Sequence, residues 1–111
     1  WGYTPLESIA FGIPTITTNL AGFGLWAKKH VTGNNINEGV AVVNRDDFNY
    51  FEVADAITSA ILTLTGKDKK EAEEIQKHSF RLAAKAEWSK FIVYYEEAFK
   101  IALEHANKRN N

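Results

Sequence analysis

The apolar residues of this chain keep two different rhythms, and the switch falls near Asn44. Before it, short clusters are broken by glycine and proline. Pro5 to Phe11 is predicted as a helix, with Gly12 as its left-handed C-terminal residue and Pro14 barring continuation. Pro14 to Thr18 is β-branched and reads as a short strand. Leu20 to Gly24 reads as a loop to which Gly22 and Gly24 give backbone freedom. A brief helix over Leu25 to His30 follows, whose Lys28, Lys29 and His30 suit a negative carboxyl end. Val31 to Glu38, rich in Asn and Gly, is a further loop. Gly39 to Val43 is a continuous apolar run, the pattern of a parallel strand covered on both faces.

After Asn44 the spacing becomes helical. Phe51 to Leu64 carries Val53, Ala54, Ile57, Ile61 and Leu64 at three-and-four spacing, and Gly66 closes it. Asp68 to about Ala86 has a narrower stripe of Ala72, Ile75, Ser79, Leu82, Ala83 and Ala86. Its outer face offers Lys69–Glu73, Lys70–Glu74 and Glu73–Lys77 pairs. Trp88 to Asn107 forms a third long helix with Phe91, Tyr95, Ala98, Phe99, Ala102 and Leu103 on one side, and Lys108 to Asn111 is expected to fray. The aromatic series Trp88, Phe91, Tyr95 and Phe99 reads as packing rather than as a sugar platform.

Two strands and several helices do not close an α/β domain. A two-stranded sheet is marginal alone, and a buried parallel strand needs neighbours. The pattern is that of the tail of a larger doubly wound domain, which fits a chain of 111 residues opening on Trp1 in mid-motif. A fragment is expected, with exposed apolar surface and a tendency to self-associate. With 45% hydrophobic and 13% aromatic residues the chain can bury a core, and a formal charge of −1 gives no reason to expect nucleic acid or an anionic membrane. Zero cysteines exclude disulfides and thiolate metal sites and fit a reducing, cytoplasmic location. His30, His78 and His105 lack metal-ligand spacing, so no metal is expected.

Candidate chemistry gathers at the opening. Thr4 followed three residues later by Glu7 has the spacing of a capping box, with Pro5 at the first helical position and Gly2 just upstream. Exposed amides and the positive end of the helix dipole then converge on one spot, which suits a phosphate. The same spacing equally serves a helix that is only kept from fraying.

The wording of the segment narrows the choice. Trp1-Gly2-Tyr3-Thr4-Pro5-Leu6-Glu7, then Gly12-Ile13-Pro14 and Thr18-Asn19-Leu20-Ala21-Gly22-Phe23-Gly24, resembles glycogen synthases of the fungal and animal type. Gly39-Val40 before Val42-Val43-Asn44-Arg45, and Glu87-Trp88 before Tyr94-Tyr95, extend the resemblance more loosely. It implies the C-terminal portion of a Rossmann-like, nucleotide-sugar-binding domain of a two-domain retaining glycosyltransferase, with two short parallel strands and a helix-rich second half. The activity implied is glucose transfer from a sugar nucleotide, usually UDP-glucose, to an α-1,4-glucan acceptor, without a metal or other cofactor.

The resemblance also implies roles for residues. Gly2, Tyr3 and Thr4 would hold the donor diphosphate through their amides, and Glu7 would bind the donor ribose. Tyr3 and Trp1 either line the pocket or pack beneath the loop. The family's first glutamate falls two places before Trp1, so no catalytic set is complete here and the isolated chain is expected to be inactive. Ala21 stands where the family commonly has serine. The family's arginine cluster for glucose 6-phosphate corresponds to Gly66 through Arg81, where Arg81 is the only arginine and acids interrupt the lysines. Lysine lacks the bidentate fork of arginine, so activation by that effector is expected to be weak or absent. Two other readings stay open: a relative of the sucrose or trehalose-phosphate synthases, and a non-catalytic helical interaction module.

Overall fold

A computed structural model describes residues 2–32 and 35–110, apart from the side chain of Trp88. The order is α1 (Tyr3–Ala10), β1 (Thr15–Thr18), α2 (Gly22–Ala27), a 3₁₀ turn (Ile36–Glu38), β2 (Val40–Val43), α3 (Tyr50–Thr65), α4 (Lys69–Ala84) and α5 (Trp88–Asn110). The two strands pair in parallel, from Thr15 opposite Val40 to Thr18 opposite Val43. The expected α/β arrangement of two short parallel strands and mostly helices is what forms. The Gly33–Asn34 part of the predicted loop lies outside the described residues.

Strand β2 is the hub because all four of its side chains are buried. Successive residues of a strand point to opposite faces. Val40 and Val42 meet Ile9, Phe23, Ala27 and Leu82 from α1, α2 and α4 on one side. Ala41 meets Ile36 and Ala60 on the other, with Ile16 and Leu64 packed against them. Helices therefore cover both faces of the pair, as the unbroken apolar run predicts.

The carboxyl end of α1 shows how closely the chain is steered. Gly12, at φ +75°, sends its N–H to the Ile9 carbonyl at 2.9 Å, and the Ile13 N–H reaches the Ser8 carbonyl at 3.0 Å. These two bonds are the Schellman arrangement that a left-handed glycine permits. The chain then reverses directly into β1, so the amino end of α1 and the carboxyl end of β1 lie on the same side.

Gly39, at φ +90°, makes the equivalent link for α4. Its carbonyl accepts from the Thr15 N–H at 3.0 Å and from the fully buried Ser79 hydroxyl at 3.1 Å. A Cβ on Gly39 would come within 2.6 Å of the Ser79 backbone nitrogen. Helix α4 thus seats directly on the entrance to β2, with Ile75, Ser79 and Leu82 inward. Asp68 caps it, accepting from the Glu71 N–H at 2.8 Å.

Several expectations are corrected. Gly22, Phe23 and Gly24 are not loop but the first turn of α2. Gly24 is needed for proximity rather than freedom, since a Cβ there would sit 1.8 Å from the Thr18 carbonyl oxygen. Gly66 ends α3 in a right-handed conformation, and in that helix Ala60 is buried whereas Ala54 and Ile61 are exposed. Along and just before α4 the described ion pairs within 4 Å are Lys67–Glu71 and Glu74–Lys77 instead of those predicted.

Helix α5 continues to Asn110 instead of fraying after Asn107. Its expected packing face is largely exposed: Tyr95 is 51%, Phe99 66% and Leu103 66% accessible. The helix projects beyond the core, which gives the molecule extents of 64 × 35 × 20 Å. No helix of the described residues is long and apolar enough to cross a membrane.

Candidate functional site

The amino end of α1 is built differently from the capping box that the sequence suggests. The helix begins at Tyr3, Gly2 occupies the capping position at φ +87°, and no side chain caps it. Thr4 is therefore inside the first turn, where its carbonyl accepts from the Ser8 hydroxyl at 3.2 Å. The physical reason is the glycine, which turns the chain into the helix two residues early at a φ of +87° that other residues avoid. Pro5 tolerates the shift because an N–H in the first turn has no intrahelical acceptor to lose.

This correction opens the site. With no side-chain cap hydrogen bond over it, the helix presents first-turn amides, those of Gly2 and Thr4 among them, outside the ladder of intrahelical bonds. The helix dipole adds positive potential at the same place. A Cβ on Gly2 would meet nothing within 4 Å, so the approach is open. Gly2, Tyr3, Thr4 and Glu7 are all exposed, and Thr4 and Glu7 share a helix face one turn apart. Trp1 lies outside the described residues.

The loops that leave the two strands are tied to each other. The Asn19 N–H donates to the Val43 carbonyl at 3.2 Å, and its side-chain oxygen accepts from the Arg45 N–H at 2.7 Å. One asparagine thereby ties together the loops leaving both strands. Beyond it, Ala21 caps α2 with no side-chain hydrogen bond. A serine there has the geometry to accept from the first-turn amides, a bond that Ala21 forgoes. Open α/β sheets place ligands outside the carboxyl ends of their strands, and these loops occupy that position in the sheet.

Two features escape the sequence reading. Helix α2 ends at Ala27, so Lys28, Lys29 and His30 form the turn after it rather than its last residues as expected. The α4–α5 junction brings Lys85 and Lys90 into one cleft with Lys29 and His30. Nothing in the local pattern links those stretches. The turn after β2 is also more organised than its composition suggests, with the Asn49 carboxamide accepting from the Asp46 N–H and donating to the Asn44 carbonyl, each at 2.8 Å. It holds Phe48 at 95% exposure. Three aromatics within four residues, Phe48, Tyr50 and Phe51, were the available signal. Among the described residues no three His, Asp or Glu side chains are grouped as a metal site.

Comparison with known proteins gives one consistent result. The family model described as glycogen synthase matches residues 1–110. The chain is 29% identical over 104 residues to a glycogen [starch] synthase of Caenorhabditis elegans, covering 94% of this chain. It is 29% identical over 106 residues to that of Neurospora crassa and 28% identical over 106 to the liver enzyme of Mus musculus, covering 96% of this chain in each case. It spans 15% of the length of each of these relatives. On the match of nearly its whole length, the chain belongs to the glycogen synthase family.

Proposed function

We propose that this segment closes the Rossmann-like donor domain of a retaining glycosyltransferase that moves glucose from a sugar nucleotide, UDP-glucose, to an α-1,4-glucan. The observation that carries the reading is the amino end of α1, which no side chain caps and where a Cβ on Gly2 would meet nothing within 4 Å. A diphosphate suits that place by charge and by hydrogen bonding.

The chemistry follows from where charge develops. As the glycosidic bond of the donor breaks, the departing UDP gathers negative charge. Amides already aimed at that charge stabilise the transition state more than the ground state, so Gly2, Tyr3 and Thr4 assist departure as well as binding. Glu7, exposed on the same helix, accepts hydrogen bonds from the vicinal ribose hydroxyls and fixes the nucleotide. The catalytic partners come from the rest of the parent, and the chain by itself has no transferase activity. Its uncovered α5 face favours self-association, which sedimentation velocity of the 111-residue chain measures.

Regulation is part of the proposal. The groove beside α4 that holds Lys67, Lys70 and His78 also holds Glu71 and Glu74, and Lys67 is paired with Glu71 at 3.5 Å. A phosphate there meets cations already partly neutralised. The parent enzyme is expected to show little stimulation by glucose 6-phosphate.

Titration calorimetry of UDP with the parent enzyme tests the main reading. Thr4→Pro removes one amide while keeping a residue that the first helical turn accepts. We expect about a tenfold loss of affinity, the order of a charge-assisted hydrogen bond. Unchanged affinity in both Thr4→Pro and Glu7→Ala would place the donor elsewhere.

A further inference from the structure

We propose that the cleft between α2 and the α4–α5 junction binds a small organic phosphate, with a cationic rim for the phosphate and an aromatic floor for a flat ring. The cleft has a volume of about 670 Å³, within the range of small-ligand sites. None of Gly2, Tyr3, Thr4 or Glu7 lines it, so the inference stands apart from the donor site.

The rim consists of Lys29, His30, Lys85 and Lys90. The lysines come from two separate parts of the chain, yet Lys85 and Lys29 both act on His30 and, after burial, disfavour its protonation. Lys90 is held in place, its ammonium donating to the Ala84 carbonyl at 2.8 Å. Among the described residues no acidic one lines the cleft, and the described ion pairs within 4 Å, Lys67–Glu71 and Glu74–Lys77, lie elsewhere. Like charges gathered around one concavity repel one another, and a bound dianion reverses that term.

The floor decides what accompanies the phosphate. Trp26 and Phe91 stand with ring centroids 6.3 Å apart, and Trp26 also lies 5.0 Å from the His30 ring. Tyr94 extends the surface at 6.4 Å from Phe91. Such a floor offers stacking to a planar group. Inorganic phosphate uses only the rim, whereas a nucleoside monophosphate uses both parts.

The test is calorimetric titration of adenosine 5′-monophosphate into the parent enzyme, with UDP saturating so that the donor site is filled. We expect binding that weakens about tenfold or more in the Lys29→Gln/Lys85→Gln double variant and in Trp26→Leu. Adenosine and inorganic phosphate should each bind about tenfold more weakly than the whole nucleotide. A Lys67→Gln control, on the far groove of α4, should leave the affinity unchanged. Should Trp26→Leu fail to fold, the lysine pair, which is exposed, still decides the question. Absence of nucleotide binding, indifference to the lysine pair, or equal binding of inorganic phosphate would each overturn the proposal. Loss of UDP affinity in the lysine variant would also overturn it, by showing that the donor occupies this cleft.

Discussion

Helices α4 and α5 make an instructive pair. Each has apolar residues at helical spacing, yet α4 buries Ile75, Ser79 and Leu82 while α5 leaves Tyr95, Phe99 and Leu103 largely uncovered. The difference lies in what each helix finds opposite it. Helix α4 meets α1 and the entrance of β2, where Gly12 and Gly39 let its backbone and side chains approach closely. Helix α5 touches the rest of the chain mainly through its first turns, by the Lys90–Ala84 bond and the Trp26–Phe91 ring contact. An apolar stripe thus states that a face requires a partner, and it does not name that partner.

The sharpest way to break this contrast is a matched pair of truncations. Ile75→Ala, in the packed face of α4, should cost about 2–5 kcal/mol by losing buried area and leaving a cavity. Phe99→Ala, on the open face of α5, should change stability by less than about 0.5 kcal/mol in the same chain. Urea unfolding of both variants measures the difference, and equal losses would mean that α5 is packed in solution. Gly24→Ala comes next, because its new Cβ runs into the Thr18 carbonyl. The expected cost is about 1–3 kcal/mol, read from the urea midpoint. An unaltered midpoint would show that α2 is not seated on β1 as described.

A smaller change works in the opposite direction. Ala21→Ser supplies the missing cap of α2 and should stabilise the chain by about 0.5–2 kcal/mol in thermal unfolding. The weakest effect concerns His30, whose imidazole is held below its ordinary value first by burial and then by Lys85 and Lys29. Because the unfolded chain binds that proton more readily, stability is intact above the ordinary value of 6.5 and declines as the pH drops below it. His30→Gln should flatten the profile as the pH falls below 6.5, and an identical slope would remove His30 from the account.

Legibility followed the range of the interactions involved. The Gly39–Val43 run announced a doubly covered parallel strand because burial on both faces leaves no polar position. Gly12 and the stripe through Ile75, Ser79 and Leu82 were equally plain, being encoded within a few residues. What was misread depended on distant neighbours. Gly24 read as a loop glycine but answers to the Thr18 carbonyl, and the cleft joining Lys29 to Lys85 has no local signature. The amino end of α1 lay between these cases. Its residues stood out, yet Gly2 rather than Thr4 begins the helix, and a supposedly capped end turns out to be open.

That open end is the centre of the account, and a cycle of ligand and enzyme variants probes it most directly. The parent enzyme and its Glu7→Ala variant are titrated with UDP and with its 2′,3′-dideoxy analogue. If the α1 amides hold the diphosphate and Glu7 holds the ribose, the substitution should weaken UDP about tenfold and leave the analogue nearly unaffected. Equal losses for both ligands, or none for either, would contradict it.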